Sequence, residues 1–245
     1  MGERARIDLM DVEGPAWVRL EGGAFQMGSD NGPLDTRPPR EVTVSEFRIS
    51  RFPVTNTQFA AFVSETGRAA PESWPGGEVP AGRSDHPVTH VSWGDAQAFC
   101  GWLTHAVGAT EGAARLPTEA QWEFAARGAE GREHPWGDDE PTPERANYQE
   151  SLIEHTTRVG SYPGGATPEG VHDVAGNVRQ WCLDWYGDYG GDGPRQDPAG
   201  PEEGKERALR GGSYIDAPGT LRASYRFMID PDSRFGFVGF RVAWS

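Results

Sequence analysis

The sequence contains few cysteines, and this scarcity excludes several kinds of site. Only Cys100 and Cys182 occur among 245 residues, and no Cys follows Cys182. Two cysteines form at most one disulfide, and the sequence does not show whether they pair. The CxxC spacing is absent, which excludes a zinc ribbon or a thioredoxin-type site. Cys100 falls on an apolar helical stripe, where burial would raise the pKa of its thiol, so we expect it to be unreactive.

The sequence also lacks a long apolar run and an excess of positive charge. No stretch approaches the roughly 20 apolar residues that span a bilayer, so no membrane contact is expected. Residues 1–13 are charged and do not resemble a signal peptide, which predicts a cytoplasmic protein. The formal net charge is −14, and an acidic surface repels phosphate backbones, so nucleic acid is not an expected ligand.

The composition and patterning predict an irregular α+β fold. The 33 glycines and 20 prolines indicate many turns. Alternation of apolar and polar residues predicts strands within 17–27 and 41–49. Three short helices are predicted from helical stripes and capping signals. These signals are Thr55 and Gly67 for the first helix, Ser92 with Asp95 for the second, and Thr118 with Gln121 and Gly128 for the third.

These elements predict one domain over residues 1–245, with few short helices, small antiparallel sheets and much irregular loop. Metal-binding motifs such as HxH and HExxH are absent. His86 and His90 are four residues apart, but they flank an extended segment, and we expect a structural or solvated role for both.

A series of short boxes resembles the formylglycine-generating enzyme family, also called sulfatase-modifying factors. Residues 115–123 read RLPTEAQWE, which is similar to the family's RLPTEAEWE, and residues 176–181 read GNVRQW, which resembles GNVWEW. The other boxes, all in family order, are Gly22–Ser29, Arg51–Asn56, His86–Trp93, Pro135–Gly137, Ala146–Tyr148, Arg210–Tyr214 and Gly239–Arg241. The resemblance implies a C-type-lectin-like fold.

The resemblance also implies chemistry that this sequence cannot perform in the usual way. Copper-dependent formylglycine formation needs two thiolates in the C-terminal stretch 209–245, which we call the tail, since thiolates select Cu(I). No Cys lies in this stretch. The tail is also similar to the ergothioneine-synthase branch, whose iron is held by a separate helical domain. No such domain is expected here, because few residues precede Gly22. An iron or copper oxidoreductase with an atypical active site stays open as the alternative function.

Calcium is a further implication of the resemblance. The family builds a calcium site around the GNVWEW loop, and its ligand positions correspond to Asp173, Gly176, Val178 and Gln180. All four can supply the oxygen ligands that calcium prefers. A turn held by Asx hydrogen bonds is the alternative interpretation of the same loop.

The tail is the predicted working surface. It fits the spacing of the variable proteins of diversity-generating retroelements, which are binding members of the family. Apolar and aromatic side chains with flanking Arg are typical of protein contacts. We therefore predict a binding module for a protein or small-molecule ligand, although residues 227–229 could instead fill the core. The predicted ligand-binding residues are Tyr214, Asp216, Tyr225, Phe227, Met228, Ile229, Phe235 and Phe237.

Overall fold

The structure, a computed structural model, describes residues 16–189 and 195–245. The charged N-terminal segment 1–13, which does not resemble a signal peptide, lies outside the described residues. Within the described residues, no helix is long and apolar enough to cross a bilayer.

The three predicted helices are confirmed together with their capping signals. They are α1 (Asn56–Thr66), α2 (Trp93–Ala106) and α3 (Glu119–Arg127). Each begins with a reciprocal capping box, in which two side chains satisfy backbone N–H groups that the first turn leaves unpaired. Gly67 ends α1 in the left-handed conformation, with φ of +70°.

Eleven short strands in the described residues form three sheets. Their bounds are β1 (Trp17–Leu20), β2 (Gly23–Met27), β3 (Arg40–Val44), β4 (Phe47–Ser50), β5 (Ala114–Arg115), β6 (Arg179–Trp185), β7 (Arg195–Gln196), β8 (Arg207–Arg210), β9 (Arg226–Ile229), β10 (Val238–Phe240) and β11 (Ala243–Trp244). The strand orders are β1-β4-β11-β5, β10-β6-β8-β9 and β2-β3-β7. The predicted strand over 41–49 is therefore two strands of different sheets.

Two of the three sheets are mixed, whereas the sequence predicted antiparallel ones; the sheet β1-β4-β11-β5 is antiparallel throughout. β10 runs parallel to β6, and β7 runs parallel to β3. Parallel pairing needs a long connection, and both pairs are far apart in the chain. The α+β class with few helices is confirmed.

The core contains the tryptophans of two of the family boxes. Trp122 and Trp181 are fully buried. Their indole N–H groups donate to Gln180 Oε1 and to the carbonyl of Val91, so neither polar end is left unsatisfied. At the two ends of the described chain, the rings of Trp17 and Trp244 meet at 6.2 Å, because β11 pairs with β4 beside β1.

Arg241 is buried and connects several segments of the interior. We call the core and its buried arginine networks the frame. Its guanidinium donates to Gln180 Oε1 at 2.6 Å and to the carbonyls of Ser50, His172 and Asp173 at 2.9, 2.6 and 3.1 Å. The side chain is fully buried. One planar group with five donors therefore fastens the end of β4, the loop before β6 and β6 itself.

A second buried network joins α3 to the central sheet. Arg226 donates to both oxygens of Glu119 at 2.7 and 2.8 Å, and Arg210 forms an ion pair with Glu123. Burial alone would raise the pKa of Glu119, but the charges of Arg226 and Arg210 outweigh it and hold that pKa below its usual range. Glu119 and Glu123 thus have a structural role, since both carboxylates join α3 to the sheet.

We expect Arg241→Lys to destabilise the fold by about 3–5 kcal/mol, because an ammonium cannot reach the acceptors that the guanidinium joins. Urea unfolding measures the change. The matched control is Arg158→Lys, since Arg158 forms an exposed ion pair with Asp85, and its cost should stay below about 1 kcal/mol. Equal losses in the two variants would contradict the role of Arg241.

Candidate ligand-binding surface

The chain turns sharply after β8 to form the tail surface. Gly211 and Gly212 have φ of +97° and +69°, which side chains other than glycine rarely adopt. A Cβ on Gly212 would also lie 2.6 Å from Leu221 Cδ2. This turn places Tyr214 and Asp216 above the sheet that carries β9 and β10.

The predicted binding residues differ in exposure. Met228 and Phe235 are 43% and 41% exposed, and Tyr214, Tyr225, Phe227, Ile229 and Phe237 are half-buried. Phe227, Ile229 and Phe237 pack against the main core with part of their surface, so the alternative of a core role is partly right for them.

Two of the predicted residues do not lie as expected. Asp216 is only 8% exposed, because its carboxylate accepts from Arg179 and from Ser213 Oγ. Met228 is exposed, but successive side chains on a strand point to opposite faces. Met228 therefore lies on the other face of β9 from Phe227.

The remaining aromatic side chains are organised by a residue that the sequence analysis missed. Arg179, the first residue of β6, lies 4.0 Å from the ring centre of Phe227 and 5.2 Å from that of Phe237. Beyond these rings, Tyr225 meets Phe227 at 4.8 Å, and Phe235 stacks on Phe237 at 5.0 Å. We call these five residues the aromatic–arginine ladder.

Backbone contacts fix the position of the ladder. The amide of Arg179 donates to the carbonyl of Phe237 at 2.9 Å, beside the parallel pairing of β6 with β10. Phe227 lies opposite Leu209 in the pairing of β8 with β9. The sequence signal that could have identified Arg179 is its position, since it stands where the family's GNVWEW motif has its first Trp.

A second group of side chains converges beside the ladder. A Cβ on Gly236 would lie 3.0 Å from His90 Cε1 and 3.5 Å from the hydroxyl of Tyr214. The amide of His90 donates to the carbonyl of Phe235. His90 and Tyr214 thus flank the segment that carries Phe235 and Phe237, whereas His86 is buried beside Thr156.

The predicted calcium ligands do not fit an ion in this arrangement. Gln180 Oε1 already accepts from Trp122 and Arg241, and Gln180 Nε2 donates to the carbonyl of Asp173 at 2.6 Å. The Asp173 carboxylate accepts from the amide of Gly160 at 2.6 Å. The Arg241 guanidinium is the cation that contacts Gln180 Oε1 and the main-chain carbonyl of Asp173. Calcium at Asp173, Gly176, Val178 and Gln180 therefore stays a prediction without support from this geometry.

The two thiols are buried and unpaired. Cys100 and Cys182 lie in different core clusters and form no disulfide. Burial raises the pKa of each thiol, so neither is prepared to act as a nucleophile. Among the described residues, no group of three or more His, Cys, Asp or Glu side chains is placed to hold a metal ion.

A small cavity of about 150 Å³ lies beside α3, away from the ladder. Asp184 lines it and accepts from the amide of Glu119 at 2.8 Å. Burial, helped by the charge of Glu119, raises the pKa of Asp184 to about 7. This carboxyl is therefore an ionisable group of the frame that titrates near neutral pH.

Comparison with known proteins places the chain in a family. The model of the sulfatase-modifying factor enzyme 1-like domain matches residues 6–245. The chain belongs to this family. The formylglycine-generating enzyme of Streptomyces coelicolor is 36% identical over 289 residues, covering 92% of this chain and 88% of the relative.

Members of the sulfatase-modifying factor family with other descriptions are also similar. The inactive C-alpha-formylglycine-generating enzyme 2 of Mus musculus is 33% identical, covering 98% of this chain and 89% of the relative. Among solved structures, Treponema denticola variable protein 1 has a TM-score of 0.78 and 25% identity, covering 93% of this chain and 94% of that one.

We expect the melting temperature to be the same in excess calcium and in excess chelator, because Gln180 Oε1 and the Asp173 carboxylate already accept hydrogen bonds within the protein. Differential scanning calorimetry of the dialysed protein measures this. A ligand that binds only the folded state raises the melting temperature by mass action, so a clear rise in calcium would support the ion and contradict our interpretation of the loop.

Asp184 should make stability depend on pH. Its pKa is about 7 in the folded state against an ordinary 3.8, so the folded state binds the proton more tightly. Stability should therefore fall as pH rises from about 4 to about 7, at up to about 1.4 kcal/mol per pH unit from this group. Asp184→Asn removes this contribution and should reduce the slope of the pH profile of urea unfolding, while the pKa of Asp173, which burial raises to about 6, leaves part of the slope in place.

The matched control is Asp85→Asn, because Asp85 is exposed in its ion pair with Arg158. This variant should keep the wild-type pH profile. An unchanged profile in Asp184→Asn would show that Asp184 does not carry the dependence.

Proposed function

We propose that this chain is a binding module that captures a protein or small-molecule ligand on the aromatic–arginine ladder. The observation that carries the proposal is the ladder itself. Four aromatic rings and one guanidinium form a continuous row of contacts at the surface, and part of each side chain faces solvent. Aromatic side chains supply large contact area at little entropic cost.

The ladder is supported as a pre-formed surface. Arg179 and Phe227 lie in strands of one sheet, and Phe237 directly precedes β10 of the same sheet. Groups that are already ordered lose little entropy on binding, and this favours affinity. The frame arginines point inward, and their stabilising contacts do not depend on the exposed ring of Phe235.

Two of the comparisons support binding without formylglycine formation, although the Streptomyces coelicolor relative is named a formylglycine-generating enzyme. A relative over most of this chain is named inactive, so the fold occurs without that activity. A solved structure with the same fold is named a variable protein. Our chain has buried thiols with raised pKa values, and its tail has aromatic residues where the retroelement variable proteins vary.

Selection of a random displayed peptide library on the immobilised protein tests the proposal. We expect peptides to be enriched, and Phe227→Ala or Phe235→Ala to weaken them about 30-fold or more, the effect of losing an aromatic anchor of about 2 kcal/mol. Circular dichroism should show that both variants stay folded.

The matched control is Leu34→Ala. Leu34 is an exposed apolar residue outside the ladder, and its removal should not change peptide binding. Failure to enrich any peptide, or enriched peptides that bind the two Phe variants as well as the wild type, would contradict the proposal.

A further inference from the structure

Among the residues that the structure describes, the Arg179 guanidinium donates hydrogen bonds from Nε and Nη2 but not from Nη1. Nε donates to Asp216 Oδ2 at 2.9 Å, and Nη2 donates to Asp216 Oδ1. Within the described part of the chain, Nη1 donates no hydrogen bond, and it is not among the buried atoms that lack a partner. The side chain is 17% exposed. The Nη1 end of the group is therefore accessible to solvent.

The unused end has the geometry of a carboxylate receptor. A guanidinium has five N–H donors in one plane, and the ion pair with Asp216 occupies only the edge formed by Nε and Nη2. The two N–H groups of Nη1 and the second N–H of Nη2 point away from that edge. Two parallel N–H donors match the two oxygens of a carboxylate.

The plane of the guanidinium is held before any ligand arrives. The ring centre of Phe227, which packs partly against the core, lies 4.0 Å from the guanidinium carbon of Arg179. Asp216 is itself fixed by Ser213 Oγ, which donates at 2.7 Å. A donor fixed in this way loses little rotamer entropy when it binds.

The net charge of the protein and the nearby Asp216 favour a singly charged anion at Arg179. The chain carries a formal net charge of −14, and Asp216 already offsets the charge of Arg179. A doubly charged phosphate would therefore be repelled more strongly than a single carboxylate. Phe237 and Phe235 continue the ladder beside the guanidinium at 5.0 Å from each other, and they offer an apolar contact next to the anion position.

We propose that Arg179 binds the carboxylate of a ligand whose apolar group packs on Phe235 and Phe237. This inference rests on the proposed binding function and names its ligand chemistry: a monocarboxylate next to an aromatic or aliphatic group. A small aromatic acid has this chemistry, and so does the free C-terminus of a peptide that ends in an apolar residue.

Titration of the ¹⁵N-labelled protein, followed by NMR, tests the inference with matched probes. The small probes are 3-phenylpropionate and its amide, and the peptide probes are N-acetyl-Gly-Phe with a free or an amidated C-terminus. We expect each acid to bind about tenfold or more tightly than its amide, because charge-assisted hydrogen bonds are the stronger ones. Comparison of the two pairs shows whether the peptide backbone adds affinity.

Variants locate the effect. Arg179→Gln should abolish the difference between acid and amide, and Arg179→Lys should keep only part of it, since an ammonium lacks the planar fork. Because Arg179→Gln leaves the buried Asp216 unpaired, the double variant Arg179→Gln with Asp216→Asn provides the same test without a buried charge. Arg158→Gln, which removes an exposed Arg outside the ladder, should keep the full difference.

The wild-type protein supplies a readout that does not need a variant. The Nε–Hε resonance of Arg179 should shift with the acids and not with the amides. Acid and amide binding equally would contradict the carboxylate inference while leaving the proposed binding function in place. A difference that persists without Arg179, or no binding of either acid, would also overturn the inference, whereas the peptide selection decides the proposed function separately.

Discussion

The buried guanidinium of Arg241 is the interaction on which the rest of the structure depends. Much of the chain consists of loops, and loops bring carbonyl groups into the interior that no strand or helix satisfies. Arg241 donates to three such carbonyls and to Gln180, and so fastens β4, the loop before β6 and β6 itself. Its charge is accommodated because every edge of the group has an acceptor. One of these acceptors, Gln180 Oε1, is also a predicted calcium ligand.

The buried arginines stabilise the fold without the outward-facing side chains of the tail, so these side chains are available for binding. Arg210, Arg226 and Arg241 are buried with acceptors in the core, so stability does not require the side chains that face outward from the same segment. Arg179 differs from these three, since it has one carboxylate partner and an open end. Its position between Phe227 and Phe237 converts separate aromatic residues into one continuous surface.

The sequence predicted the local structure well and the side-chain partnerships poorly. The capping boxes at Ser92 and Thr118 and the stop at Gly67 depend on neighbouring residues only, and all are confirmed. The burial of Asp216 and the role of Arg179 depend on a contact between two loops. One is the loop at Asn177, which has φ of +65°, and the other is the turn after β8. No local sequence pattern predicts that contact. The family resemblance likewise implied calcium, because matching ligand positions does not reveal which donors reach the oxygens.

The central claim is that the frame and the tail surface are energetically separate, and the free energy of unfolding of two Phe variants tests it most directly. Phe240 is fully buried in the main core, whereas Phe235 is 41% exposed at the end of the ladder. The account predicts a loss of about 3–5 kcal/mol for Phe240→Ala and less than about 1 kcal/mol for Phe235→Ala. A comparable loss in the two variants would show that the ladder is part of the core and would contradict the account.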